Sequence, residues 1–166
     1  MRKIAISLSK GGVGKTTTAV NLSAGLARAG YRVLLIDTDT QGQASRALGV
    51  DSEAGLAELI SGEASPAEAI QEVRERLYLL AGGRNLAGLK RTIDRKDFGG
   101  ENTLAEGLEM LDSSYDYAIL DTAPGWDSLT VNVLFYVDEI LAPVSMEILT
   151  VSGLLYFQQS IQAIQK

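Results

Sequence analysis

Lys15 and Thr16 close a glycine-rich run, Ser9-Lys10-Gly11-Gly12-Val13-Gly14-Lys15-Thr16-Thr17, and three aspartates, Asp37, Asp39 and Asp121, stand at or just past the ends of apolar runs further along the chain. These groups are the ones a nucleoside triphosphate and its metal ion require. Glycines let successive backbone N–H groups turn inward on an anion, and a helix that opens at the end of the run adds unsatisfied donors and a partial positive charge. In such a loop Lys15 reaches the β- and γ-phosphates, and the Thr16 hydroxyl takes a place on Mg²⁺. The competing reading is a flexible glycine turn that happens to carry two lysines.

The flanks decide between the two. Lys3–Leu8 reads as a short apolar strand. Thr18–Ala29 reads as a helix with Ala19, Leu22, Ser23, Leu26 and Ala27 on one face and Gly30 placed to end it. Arg32–Asp37 is then a continuous apolar run ending in an acid, as suits a central parallel strand covered on both faces. The opening is therefore a βαβ unit, expected to be right-handed. Asp37 and Asp39 fall at the carboxyl end of its second strand, beside the phosphate loop, where α/β sheets bind ligands. Their alternative use is to cap the next short helix. Tyr115–Asp121 is a later strand ending in Asp, the arrangement that places a carboxylate on Mg²⁺, through water.

The remaining elements have a scaffold to build. Short helices are expected over Ala44–Val50 and Gly55–Ile60, and a further one from Pro66, with Ser65 as N-cap and Ala69, Ile70 and Val73 turned inward. Leu77–Ala81 reads as the third strand, closed by Gly82-Gly83. Arg84, Lys90, Arg91, Arg95 and Lys96 form a basic cluster that reads as a solvated helix face, since Asp94 and Asp97 interrupt it and no aromatic stacks within it. After Phe98-Gly99-Gly100, a helix from Asn102 or Thr103 turns Leu104, Leu108 and Leu111 inward, and Asp127 caps another through Leu134. Trp126 reads as a partly buried packing residue, and Glu139–Val144 as a further strand. The last helix, from about Ile148, is expected to bury Val151, Leu154, Leu155 and Ile161; with Lys166 its one basic residue, it reads as a packing helix and not a membrane-surface one. The fold class is α/β: a three-layer, doubly wound, mostly parallel sheet with helices on both faces, in one domain over residues 1–166.

Composition narrows the chemistry. A chain of 166 residues that is 46% hydrophobic can bury a substantial core, and no apolar run approaches membrane-spanning length. With no Cys, disulfides, iron–sulfur clusters and thiolate metal sites are excluded for this segment; with no His, proton chemistry falls to carboxylates, lysines or water. A net charge of −6 disfavours broad, non-specific attraction to nucleic acid.

The K-G-G-x-G-K-T-T run, with Ser9 where an ordinary phosphate loop has its first glycine, resembles the deviant Walker A loop of the ParA/MinD superfamily of dimeric ATPases. Asp37-Thr38-Asp39-Thr40-Gln41-Gly42-Gln43-Ala44 resembles the D-x-D-P-Q-G-N-A motif of ParA-type partition ATPases, with Thr40 for the proline and Gln43 for the asparagine. Tyr115–Pro124 resembles the family's Y-D-Y-(apolar)₃-D-x-P-P, with Ala123 at the first proline. The resemblance implies a P-loop domain whose cofactors are ATP and Mg²⁺, held by Lys10, Gly11, Gly12, Val13, Gly14, Lys15, Thr16 and Thr17. It implies that Lys10 crosses a dimer interface to the partner's phosphates. Asp39 would position the attacking water, Thr16, Asp37 and Asp121 would serve the metal, and Glu147 would meet the partner's ribose. The implied protein is cytoplasmic, pairs with itself in the ATP state, and acts in chromosome or plasmid partition or cargo positioning. Its partners would be non-specific DNA and a ParB-like protein, with no membrane. The family continues into further strands and a basic C-terminal region that this sequence does not include. The MinD branch matches the D-x-D-x-Q-G stretch less well. Two other classes stay open: a metabolic synthase of the cobyrinic acid or dethiobiotin type, which needs a substrate carboxylate site beside the γ-phosphate, and a non-hydrolysing nucleotide-binding module. A nitrogenase-iron-protein-like redox role is excluded locally by the absent cysteines.

Overall fold

The computed structural model describes residues 1–164, so Lys166, the basic residue expected on the last helix, lies outside the described residues. A six-stranded sheet with the order β3-β4-β2-β5-β1-β6 forms the middle layer. Its strands are β1 (Arg2–Ile6), β2 (Val33–Asp37), β3 (Ile70–Arg74), β4 (Leu77–Leu80), β5 (Tyr117–Asp121) and β6 (Glu139–Leu141). All neighbours pair in parallel except β3 and β4, so the mostly parallel sheet read from the sequence is the observed one. The helices are α1 (Lys15–Arg28), α2 (Gln43–Leu48), α3 (Leu56–Ser61), α4 (Pro66–Ala69), α5 (Leu86–Asp94), α6 (Thr103–Leu108), α7 (Ser128–Tyr136) and α8 (Ile148–Ile164).

The alternation of strand side chains divides the core into two apolar layers. Leu34 and Ile36 of β2 join Ala118 and Leu120 of β5 on one face, under Leu56, Leu89, Leu104 and Leu129 from α3, α5, α6 and α7. Val33 and Leu35 join Ile119 on the other face, under Ala19 and Ala27 of α1 and Ala44 of α2. Because β2 is buried at all five positions, both faces must be apolar, which is why its sequence shows an unbroken run. On α1, the buried stripe is Ala19, Ser23 and Ala27, with Leu22 and Leu26 half-buried at its margin.

Three expectations are corrected. Ile70 and Val73 do not extend the Pro66 helix; α4 is one turn long, and Ile70–Arg74 runs antiparallel to β4 as an edge strand. The two β-branched residues favour extended backbone, and Leu77–Leu80, almost wholly buried, supplies the strand they pair with. Leu77–Leu80 is accordingly the fourth strand in chain order. Second, β6 stops at Leu141, because Pro143 has no N–H to give a ladder. Third, α8 buries Thr150 and Phe157, leaving Val151 and Leu155 exposed and Leu154 and Ile161 half-buried. Positions 150 and 157 lie two turns apart on one stripe, so residues one and five beyond Thr150 rotate away from it. Trp126, read as partly buried, is instead exposed at 38%, although its ring still lies edge-on to Phe157 at 5.8 Å. The basic cluster lies on and around α5, which buries Leu86, Leu89 and Ile93; Arg84, Arg91 and Arg95 are exposed, and Lys90 pairs with Asp127.

Candidate phosphate-binding site

The carboxyl ends of β1, β2 and β5 lie side by side, with Ile6 opposite Asp121 and Asp121 opposite Asp37 in the parallel registers. The glycine-rich run leaves the end of β1 and turns into α1 above these two acids. Gly12 and Gly14 have φ of 75° and 88°, a region that costs side-chain-bearing residues strain, so glycine at these two positions is what lets the loop bend. Gly14 is the residue before α1, and its carbonyl accepts from the Thr18 N–H at 2.8 Å. The bend is open: a cavity of 270 Å³ is lined by Gly12, Gly14, Lys15, Thr16, Asp39 and Gln43, among others. Its wall beyond the glycines is Pro124, whose ring lies 3.8 Å from where a Cβ on Gly11 would be.

Lys15 is the first residue of α1 and is buried, its ammonium donating to the Lys10 carbonyl at 2.8 Å. Burial holds its pKa below the ordinary lysine value, while the Asp121 and Asp39 carboxylates favour its charged form. Asp121 is wholly buried, and neither of its oxygens has a hydrogen-bond partner among the described residues. Burial pushes its carboxyl up to about 7; Asp37 and Asp39 add to the rise, and Thr16 and Lys15 pull against it. Two hydroxyls lock the strand ends around it. Thr38 Oγ1 donates to the Asp121 carbonyl at 2.7 Å, and Thr122 Oγ1 donates to the Ile6 carbonyl at 3.0 Å.

Asp37 is engaged otherwise. Its Oδ1 accepts from the Asp39 N–H at 3.0 Å, and its Oδ2 accepts from the N–H groups of Ala44 and Ser45 in the first turn of α2 at 3.0 and 3.3 Å. The capping geometry considered for the paired acids is thus present at Asp37. Burial nevertheless raises its pKa above the ordinary value, against these hydrogen bonds. Asp39 Oδ1 accepts from the Gln41 N–H at 2.9 Å, and its carbonyl takes the Gly42 and Gly83 N–H groups at 2.9 and 3.0 Å. Among the described residues no three acids form a cluster that could hold a metal by themselves; both Asp37 oxygens and one of Asp39 accept from backbone N–H groups. The free oxygens of Asp121, next to the cavity-lining Lys15 and Thr16, are the observation that fits a divalent cation completed by Thr16, phosphate and water.

Lys10 and Glu147 also meet. The Lys10 ammonium donates to Thr150 Oγ1 at 2.8 Å and lies 3.4 Å from Glu147 Oε2, both at the start of α8. Val13 and Thr17 belong to the same loop and first turn; Thr17 is exposed at the cavity mouth. Sequence reasoning missed three participants: Pro124, Thr150, and Gly82, whose Cα lies so close to Asp37 that a Cβ would stand 2.9 Å from its carboxylate. Two of them carried a signal: Pro124 as the retained second proline of the D-x-P-P stretch, and the Gly82-Gly83 pair, since adjacent glycines after a buried strand mark a close backbone approach.

A phosphate loop opening a helix at the carboxyl edge of a parallel sheet, over two strand-terminal aspartates, defines a P-loop nucleotide-binding fold. An AAA domain family model matches residues 1–166. The chromosome-partitioning ATPase Soj of Thermus thermophilus is 40% identical over 153 residues, 92% of this chain and 58% of that protein. Among solved structures, apo McdA from Cyanothece aligns with a TM-score of 0.92 at 27% identity, over 99% of this chain and 66% of the other. Cobyrinic acid a,c-diamide synthase from Mycobacterium smegmatis, with bound ADP and magnesium, aligns with a TM-score of 0.91 at 33% identity, over 99% of this chain and 68% of the other. The chain belongs to this AAA-domain family, within the ParA/MinD group of P-loop proteins that carry the deviant Walker A loop. It spans 58% of the Soj relative's length. Among the described residues no helix is long and apolar enough to cross a membrane.

Proposed function

We propose that this chain is the nucleotide-binding part of a Mg²⁺-dependent ATPase of the ParA type, a dimeric switch acting in chromosome or plasmid partition or cargo positioning in the cytoplasm. The observation that carries the reading is the open 270 Å³ cavity between the glycine bend and Asp39, lined by Lys15 and Thr16, the two residues that also act on the unpartnered Asp121 carboxylate. In it the N–H groups of Gly11 to Thr17 and the Lys15 ammonium bind the phosphates. Thr16, Asp121 and, through water, Asp37 would hold Mg²⁺, which when bound neutralises phosphate charge. Asp39, at the cavity wall, orients the attacking water and accepts its hydrogen bond. Lys10 serves the phosphates of a second copy, and Glu147 that copy's ribose. Such trans-acting cations are worth roughly 10³–10⁵ in rate in other phosphoryl-transfer systems, so pairing would gate turnover. Non-specific DNA and a ParB-like protein are the further partners of this reading, and the net charge of −6 leaves this chain itself little drive toward DNA.

The test is phosphate release. The reading expects slow, Mg²⁺-dependent release that Asp39→Ala abolishes while ATP binding survives; unchanged release in that variant would remove Asp39 from the reaction. A second reading, a metabolic synthase, is favoured by the 33% identity to the cobyrinic acid a,c-diamide synthase. It expects release only when an acid substrate is supplied, whereas the switch releases phosphate from ATP alone.

A further inference from the structure

Lys10 is fastened at both ends to its own subunit. Its ammonium donates to Thr150 Oγ1 at 2.8 Å, and its carbonyl takes the Lys15 ammonium at 2.8 Å. Thr150 is fully buried, and its hydroxyl shares a second hydrogen bond, at 2.8 Å, with the Ser145 hydroxyl. Glu147 adds a longer ion pair at 3.4 Å, but its side chain is 70% exposed and its pull is screened. The start of α8 is in turn anchored by Phe157, buried two turns later on the same stripe against Trp126. The amine is thus engaged within its own subunit.

We propose that Thr150 is the acceptor of a resting latch that holds Lys10 in its own subunit, and that nucleotide binding releases it. This rests on the reading that Lys10 serves a second copy's nucleotide. The coupling runs through Lys15. When phosphate enters the bend it takes the Lys15 ammonium, so the Lys10 carbonyl loses its partner and Lys10 is held by its ammonium alone. Association then has only the ammonium's contacts with Thr150 and the exposed Glu147 to break. ATP thereby favours the conformer that pairs, because it binds that conformer better than the latched one. A partly buried hydrogen bond to a charged group is large enough to set such a threshold.

The experiment compares wild type with Thr150→Val, which keeps the shape and removes the acceptor, and with Thr150→Ser, which keeps the hydroxyl. In the nucleotide-free monomer, the rate of reductive methylation at Lys10, read by peptide mass spectrometry, reports the latch without reference to pairing. Sedimentation with a non-hydrolysable ATP analogue and Mg²⁺ reports association. The latch expects faster Lys10 methylation in Thr150→Val and dimers roughly fivefold tighter, with Thr150→Ser behaving as wild type. Equal methylation rates in wild type and Thr150→Val overturn the latch. Faster methylation with unchanged pairing overturns its role as a gate. Matching melting curves guard against a folding defect, and Thr150→Ser keeps the test valid if Thr150→Val unfolds, since its wild-type methylation rate is required. Lys10→Ala separates the two layers: if it pairs normally, the trans reading fails, and if it does not pair while Thr150→Val changes nothing, only the latch fails.

Discussion

A fully buried carboxylate with no hydrogen bond to either oxygen is held there against its own solvation, and among the described residues Asp121 is in that position, with Thr16 and Lys15 only partly offsetting the cost. In the unfolded chain such a group ionises near 3.8, whereas here it does so at about 7. Between these values the folded protein holds a proton that the unfolded chain has lost, so stability is present at low pH and falls as pH rises toward 7. The burial that raises Asp37 adds in the same direction. Without metal or nucleotide, the melting temperature should therefore drop between pH 5 and pH 8, and Asp121→Asn should flatten that drop. The variant should be more stable than wild type at pH 8 by roughly 2–4 kcal/mol; an unchanged pH profile would show that Asp121 is not the strained group. Added Mg²⁺ and ATP should restore the wild type at pH 8 and not the variant. The positions of Asp37, Asp39 and Asp121 were legible in the sequence, because a buried parallel strand writes an unbroken apolar run that stops where the acid begins. Their hydrogen bonding was not, since whether an acid meets a helix N-terminus depends on where the next loop turns.

At the scale of elements, the site is a meeting of loops held at backbone contact. Gly82, just past β4, sits where an added Cβ would stand 2.6 Å from the Asp37 carbonyl oxygen and 2.9 Å from its Oδ1. Gly83 donates to the Asp39 carbonyl, so the loop from β4 to α5 braces both acids. Gly82→Ala should cost about 1–3 kcal/mol by overpacking and weaken Mg²⁺–ATP binding at a residue that touches neither ligand. Chemical unfolding checks the first effect and calorimetry the second; an unshifted unfolding midpoint would mean the loop can give way. Strands with two buried faces and helices with one buried stripe were read with small boundary shifts. The failures share one cause, which is that packing partners are non-local. Ile70 and Val73 fit a helix stripe or an edge strand equally well until β4 is known to lie beside them. The apolar residues of α8 give no period that singles out Thr150 and Phe157 as the inward pair, since Val151, Leu154 and Leu155 compete for the same role.

At the scale of the whole molecule, the two apolar layers make a platform on which the carboxyl edge of the sheet carries the candidate site. Among the described residues no three acids could hold a metal by themselves, so the site is one finished by its ligand. Such a site should couple occupancy to assembly. With ATP and Mg²⁺, the Asp39→Ala chain should sediment at about twice the 17.7 kDa monomer mass, and with ADP as the monomer, because ADP lacks the phosphate that reaches across. A monomer under both conditions would confine the chain to nucleotide binding. Binding of a polyphosphate by the glycine bend and Lys15 is what every other role of the site depends on. A calorimetric titration of ATP in Mg²⁺ into wild type and Lys15→Ala measures it. The predicted result is saturable, one-to-one binding by wild type and a loss of roughly a hundredfold or more in the variant, as expected for removing a charged contact to phosphate. Equal affinity in the two proteins would contradict it.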